Sequence, residues 1–427
     1  MTSALQPDSG AEQNPALASL YGQVRRRSVA LCAPLAVEDM VVQSMPDTSP
    51  SKWHLAHVSW FFERFILSQY VDDYPSFNPK FDFLFNSYYF TVGQMHQRPR
   101  RGLLSRPTVS EVLEYRRHVD GHMQALLETH PGDPDLAFLV TLGLNHEQQH
   151  QELMLTDIKH VLAQNPLKPA YRGDLGEFSG AGIKLDFVSF PGGEQQIGAR
   201  EEGFVFDNET PRHRVLLADF QLANRLVTNG EYLAFISDGG YSKPELWLSD
   251  GWSTVQSQQW RRPMYWSESL DSEFSLGGEV ALNPDTPVSH LSFYEADAFA
   301  RWAGARLPSE AEWEVAAGTS PVAGNLAERD HLHPLPAGAL QHPGQGPLHQ
   351  LFGDAWEWTA SSYSSYPGFK PLEGSLGEYN GKFMCNQMVL RGGSCVSPAA
   401  HVRASYRNFF YPDARWQFTG LRLARDA

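Results

Sequence analysis

Apolar residues recur at helical spacing up to about residue 165, then give way to short runs punctuated by Gly, Asn and Pro. After Asn14-Pro15, residues Leu17, Leu20, Tyr21 and Val24 follow the i, i+3, i+4, i+7 rhythm of one buried helix face. A second helix is predicted from Ser49-Pro50, with Trp53, His57, Trp60, Phe61 and Arg64 along one stripe. A third starts after Pro107, where Thr108 and Glu111 form a capping box, and runs through Val112, Tyr115, Val119 and Leu126. The fourth begins near Asp135 and stops before Asn165-Pro166. Four such helices imply a bundle, whose core is a common place for a metal held by facing side chains.

The connection from Tyr74 to Arg106 is long and aromatic, and a loop of that length points to function. Residues 166–182 read as a linker rich in Pro, Gly and Arg. From Ile183 onward, runs such as Phe187–Phe190 and Arg214–Leu217 alternate with turns. Two capping boxes, Ser292 with Glu295 and Ser309 with Glu312, mark helices over Ser292–Gly304 and Ser309–Ala317. The expected organisation is a helical domain over 1–165, a linker over 166–182, and a loop-dominated α+β domain over 183–427.

Composition narrows the function. The 427 residues carry a net charge of -15, which disfavours a nucleic-acid partner. Three cysteines, Cys32, Cys385 and Cys395, are too few and too scattered for a disulfide framework or a Cys-based zinc site, so a reducing, cytoplasmic compartment is expected. No apolar run is long enough to span a membrane. The first 14 residues are polar and lack the basic-then-apolar order of a signal peptide.

The chemistry gathers on His146-Glu147-Gln148-Gln149-His150. Two histidines four apart share a helix face and can grip one ion, and three polar residues between them in an apolar helix favour that reading over buried structural histidines. The same letters spell the zincin motif, in which the Glu is a general base, but a zincin takes its third ligand downstream. Here the best third ligand lies upstream: His57, on the aromatic stripe, with His54 on its flank. Three imidazoles suit Fe(II), Zn(II) or Cu(II), so ligand type leaves the metal open. Tyr88 and Tyr89 sit in a polar loop before Arg98 and Arg101; they read as cavity lining against the simpler alternative of core aromatics. The Arg cluster suits a small carboxylate or phosphate, against solvated loop charge. In the second half, Gly353–Thr359, Arg391–Ser394 and Arg403–Phe410 pack aromatics and glycines into short loops. Trp356 and Trp358 read as core, whereas Asn408, Phe409, Phe410 and Trp416 read as the wall of a pocket for a cationic, planar ligand.

These motifs together resemble the ergothioneine-biosynthesis sulfoxide synthases and their ovothiol-type relatives over essentially the full length. Trp53–His57 and His146–Glu152 are similar to a DinB-like bundle. Pro287-Val288-Ser289, Arg306–Glu314, Gly353–Thr359, Arg391–Ser394 and Gly420-Leu421-Arg422 are similar to a formylglycine-generating-enzyme-like domain of C-type-lectin type. The resemblance implies a mononuclear non-haem Fe(II) enzyme with O₂ as co-substrate. It would join sulfur to imidazole C2 of hercynine (Nα-trimethylhistidine), with small molecules as its partners. It also implies His57, His146 and His150 as iron ligands, Gln149 and Asn408 as hercynine contacts, and Tyr88-Tyr89 as the tyrosine pair of one subgroup. Two departures stand out: Phe410 and Ala414 occupy positions where actinobacterial-type members carry an Asp/Arg pair for γ-glutamylcysteine. Arg98 or Arg101 would then take the carboxylate of a smaller donor such as cysteine, and a seleno-sugar donor, as in related selenoneine synthases, is the alternative. Rivals of other classes are a Zn-dependent DinB-like thiol transferase and a lectin-like binding module.

Overall fold

A computed structural model describes residues 10–176, 180–200, 203–340 and 346–427, with the side chains of the first helix described from Leu17 onward. The N-terminal polar stretch up to residue 9 and residues 177–179 of the expected linker lie outside the described residues. The chain divides into two compact units, Met1–Val161 and Leu162–Ala427.

The first unit is the helical one. Helix α1 spans Gly10–Cys32 and α2 spans Ser51–Phe62, continuing as a π turn over Glu63–Leu67 and a last turn, α3, over Ser68–Tyr70. The short α4 (Phe81–Phe85) is followed by α5 (Val109–Thr129) and the long α6 (Pro134–Gln164). The Thr108–Glu111 capping box opens α5 as its sequence predicts. Every residue of α2 is buried, so this helix has no solvent face and runs through the middle of the bundle. Arg64 departs from the predicted stripe and is 41% exposed, because the π turn starting at Glu63 breaks the 3.6-residue period.

The connection between the second and third long helices is folded rather than open. The Trp53 indole donates to the Leu84 carbonyl and the Trp60 indole to Asp82, which holds α4 against α2. Glu63 accepts from the Tyr74 and Tyr115 hydroxyls, tying the same connection to α5.

The second unit is built from short strands. In chain order they are β1 (Phe187–Phe190), β2 (Gly193–Ile197), β3 (His213–Leu217), β4 (Phe220–Ala223), β5 (Ser272–Ser275) and β6 (Gly278–Ala281). Then follow β7 (Trp356–Ser362), β8 (Met388–Arg391), β9 (Asn408–Phe410), β10 (Thr419–Gly420) and β11 (Ala424–Asp426). They form a three-stranded sheet ordered β1-β4-β11, a four-stranded sheet ordered β10-β7-β8-β9, and two hairpins. Helices α7 (Asn229–Ser237) and α8 (Ser249–Gln258) have no equivalent in the sequence reading, whereas α9 (Phe293–Trp302) and α10 (Glu310–Ala317) open with their predicted capping boxes. Residues Tyr171 and Arg172 of the expected linker donate backbone bonds to Leu276, so this stretch is part of the second unit.

The arginines and glycines of this unit's motifs are scaffold. Arg422 forms a paired contact with Glu357, both side chains fully buried, and Arg391 and Arg407 converge on Glu310. A buried charge is tolerated only with such partners. Gly353 has φ +86°, and a Cβ there would come within 2.2 Å of the Asn325 carbonyl oxygen, so only glycine fits that turn.

Candidate metal centre

His57 on α2 and His146 and His150 on α6 meet inside the helical unit. One ring nitrogen from each lies within 4.8 Å of the others, and all three residues are buried. Nε2 of His57 stands 3.2 Å from Nε2 of His146. The rings are wedged among aromatics: Trp53 stacks on His57 at 4.6 Å, Trp60 flanks its far side at 5.6 Å, and Phe61 lies 4.8 Å from His146. The Trp53, His57, Trp60 spacing puts all three on one face of α2, so local helix geometry builds the sandwich.

Burial is the main cause of depressed imidazole basicity here. It carries His146 down to about 3, against an opposing pull from Glu147. His57 and His150 are lowered well below their usual range by burial first and by the neighbouring His146 second. All three rings are therefore neutral at pH 7, the form that donates a lone pair to a metal. Nδ1 of His57 lies 2.5 Å from the Phe85 carbonyl, which can only accept; that nitrogen carries the proton and leaves Nε2 as donor. Nδ1 of His150 lies 2.8 Å from Nδ1 of His54, and Nε2 of His54 lies 3.0 Å from Asp157. Three neutral, converging imidazoles fit a mononuclear divalent ion.

Glu147 faces the other way. Its carboxylate accepts from Arg25, from Arg116 and from Ser28, linking α1, α5 and α6. Burial would raise its pKa, but the Arg116 and Arg25 guanidiniums hold it at about 2. With both oxygens engaged, it is not the exposed base that a zincin needs.

The other predicted residues fall in several settings. Tyr89 is buried against Phe65 and Trp60, while Tyr88 is half-buried with its ring 4.8 Å from that of Tyr89. Asn86 fixes their loop, accepting from the Tyr89 N–H and donating to the Tyr89 carbonyl. Gln149 is half-buried on α6, within one turn of both His146 and His150. Arg101 is buried with its guanidinium 3.3 Å from the Trp53 ring centre, and it donates to Ser49 and Ser87. Solvated loop charge is thus the wrong description of Arg101, whereas Arg98 is exposed and donates to the Asp47 carbonyl.

In the second unit, Asn408 opens the edge strand β9 opposite Leu390 and accepts from the Phe409 N–H. Phe409 stacks on Tyr363 at 4.0 Å, and Phe410 packs edge-on to Trp416. The Trp416 indole N–H is buried and meets no acceptor among the described residues.

Sequence reasoning placed His54 on the flank and did not single out Asp157. The usable signal was periodicity, because Asp157 follows His150 by seven residues and so returns to the same helix face.

Comparisons with known proteins place these units. The DinB superfamily model matches residues 20–154, and the sulfatase-modifying factor enzyme 1-like domain model matches residues 181–333 and 328–427. A hercynine oxygenase of Mycolicibacterium smegmatis is 34% identical over 412 residues, spanning 90% of this chain and 92% of that protein. A hercynine oxygenase of Mycobacterium tuberculosis is 32% identical over 91% of this chain and 93% of its own length. A formylglycine-generating enzyme of Streptomyces coelicolor is 31% identical over 56% of this chain and 89% of its own length.

Proposed function

Because this chain belongs to the hercynine oxygenase family, we propose that it is a non-haem Fe(II), O₂-dependent enzyme joining the sulfur of a thiol to imidazole C2 of hercynine, in ergothioneine biosynthesis. The observation that carries the reading is the set of three buried, neutral imidazoles with their nitrogens drawn together. The reaction balances as hercynine plus thiol plus O₂ giving the sulfoxide and water. One C–H and one S–H bond break, a C–S bond forms, one oxygen atom stays on sulfur, and the other leaves with the two hydrogens.

Bound Fe(II) would supply redox electrons and coordination positions for O₂ and substrate. His57, His146 and His150 would hold it. Tyr88 and Tyr89 are the proposed phenols of the reaction, able to give a proton or an electron near the oxidised sulfur. Gln149 is the proposed hydrogen-bonding partner for the substrate imidazole. Arg101, with Arg98 further out, is the proposed anchor for a donor carboxylate; Arg101 keeps unused N–H groups after its bonds to Ser49 and Ser87. Within the second unit, Asn408, Phe409, Phe410 and Trp416 are the proposed substrate contacts, and the unmet indole N–H of Trp416 is suited to an acceptor on the ligand. Cys32, Cys385 and Cys395 form no disulfide, which fits a reducing, cytoplasmic setting, and among the described residues no helix is long and apolar enough to cross a membrane.

The test is mass spectrometry of hercynine incubated with Fe(II)-loaded protein and cysteine, γ-glutamylcysteine or a seleno-sugar, with and without air. An air-dependent coupled product supports the reading and identifies the donor. Product formed equally without O₂, or none with any donor, overturns it.

A further inference from the structure

We infer that His54 and Asp157 form a positioning relay that selects the ring tautomer of His150 and aims its Nε2 lone pair at the metal. The argument is one of hydrogen-bond direction. Oδ2 of Asp157 accepts from the Ser49 backbone N–H at 2.8 Å, and that group can only donate. The same oxygen lies 3.0 Å from Nε2 of His54, so the His54 proton sits on Nε2 and points at the carboxylate. Nδ1 of His54 is left with a lone pair and can only accept. It lies 2.8 Å from Nδ1 of His150, which must therefore carry the proton. Nε2 of His150 is then the bare nitrogen.

Asp157 thus acts on the metal site without touching a ligand's ring. It anchors the start of α2 through Ser49 and dictates a tautomer on α6 through a histidine on α2. The two ligand-bearing helices are locked in register by the same three groups that set the donor atom. The His57–Phe85 contact does the same work for a second ligand by a direct bond, whereas His150 reaches its orienting carboxylate through an intermediate ring. Ligand orientation of this kind is worth about 10- to 100-fold in metal affinity.

The relay rests on the metal reading above, and the test separates the two. Metal-free protein with ¹⁵N-labelled histidine reports the His150 tautomer by NMR, and Co(II) titration against a competing chelator reports affinity and visible spectrum. The expected result is a single Nδ1–H tautomer and one bound Co(II) in the unmodified chain. His54→Phe and Asp157→Ala are expected to bind Co(II) about 10- to 100-fold more weakly with shifted bands. Asp157→Asn, which keeps an accepting oxygen, is expected to stay within about threefold, a rescue that general destabilisation would not give. Should His54→Phe fail to fold, the Asp157 pair decides. A folded His54→Phe or Asp157→Ala protein with unchanged affinity and spectrum overturns the relay, as does an Asp157→Asn protein as weak as Asp157→Ala. An unmodified chain that binds neither Co(II) nor Fe(II) strikes the metal reading instead.

Discussion

In the helical unit each proposed metal ligand sits inside a helix, on a ring clamped by aromatics and hydrogen bonds. The second unit presents its proposed substrate contacts on a three-residue edge strand and the loop beyond it. Both units bury arginine–glutamate clusters, yet put them to different use. The Arg25–Glu147–Arg116 cluster braces the back of the helix that carries the histidines. The Arg422–Glu357 and Arg391–Glu310–Arg407 clusters hold irregular loops that helix propensity cannot hold. The lesson is that the residues most visible as motifs are often scaffold: the Glu of His-Glu-x-x-His and the Arg of Arg-Gly-Gly-Ser both serve packing.

The sharpest way to break the comparison is to remove one side of a buried cluster. Glu147→Ala strands the buried Arg116 guanidinium and leaves Arg25 with Asp120 as its remaining carboxylate, and is expected to cost about 3–5 kcal/mol in chemical denaturation. Arg422→Ala strands Glu357 and should cost a similar amount. A loss under about 1 kcal/mol in either would mean that the cluster is not structural.

Acidification separates the units next. Glu147 has a folded pKa of about 2 against an ordinary 4.5, so its contribution is complete above about pH 4.5 and is lost as pH falls towards 2. The histidines are depressed too: below about pH 6.5 the unfolded chain takes up protons that the folded chain refuses, so metal-free stability falls with pH, for His146 down to about 3. Thermal unfolding of the metal-free protein at pH 7.5 and pH 5 should show the loss, and His146→Phe should reduce it. Equal melting temperatures at the two pH values would contradict this assignment.

Tyr88→Phe or Tyr89→Phe is expected to shift turnover from coupled product towards cysteine sulfinate, a product ratio readable by mass spectrometry. Unchanged ratios in both variants remove the phenols from the chemistry. The smallest effect is expected in the second unit. Phe410→Asp combined with Ala414→Arg should raise use of γ-glutamylcysteine relative to cysteine by about tenfold in kcat/KM, the scale of one charge-assisted contact. No change in that ratio would detach these positions from donor choice.

Much of the helical unit was legible because burial and the 3.6-residue period agree there. The Thr108 cap, the His146/His150 pair and the Trp53–His57–Trp60 face all follow from spacing. The period failed where the backbone left the α-helix: the π turn at Glu63 turns Arg64 outward. The folded connection containing Phe81–Phe85 was hidden for a different reason. Its order comes from the Trp53 and Trp60 indoles bonding to Leu84 and Asp82, contacts between residues distant in sequence. His54 and Asp157 were missed likewise, since their role depends on which nitrogen faces which oxygen. In the second unit α9 and α10 were visible from their caps; α7 opens with the same signal, a Thr228–Glu231 capping box that the sequence reading passed over, whereas α8 follows Leu248 with no side-chain cap to reveal it.

His57, His146 and His150 are proposed to hold one ferrous ion together. Anaerobic Fe(II) titration of the unmodified chain and of the His57→Ala, His146→Ala and His150→Ala variants tests it most directly. One tightly bound iron per chain, lost in each folded variant, is the expected result; tight iron binding that survives removal of His57 would contradict it.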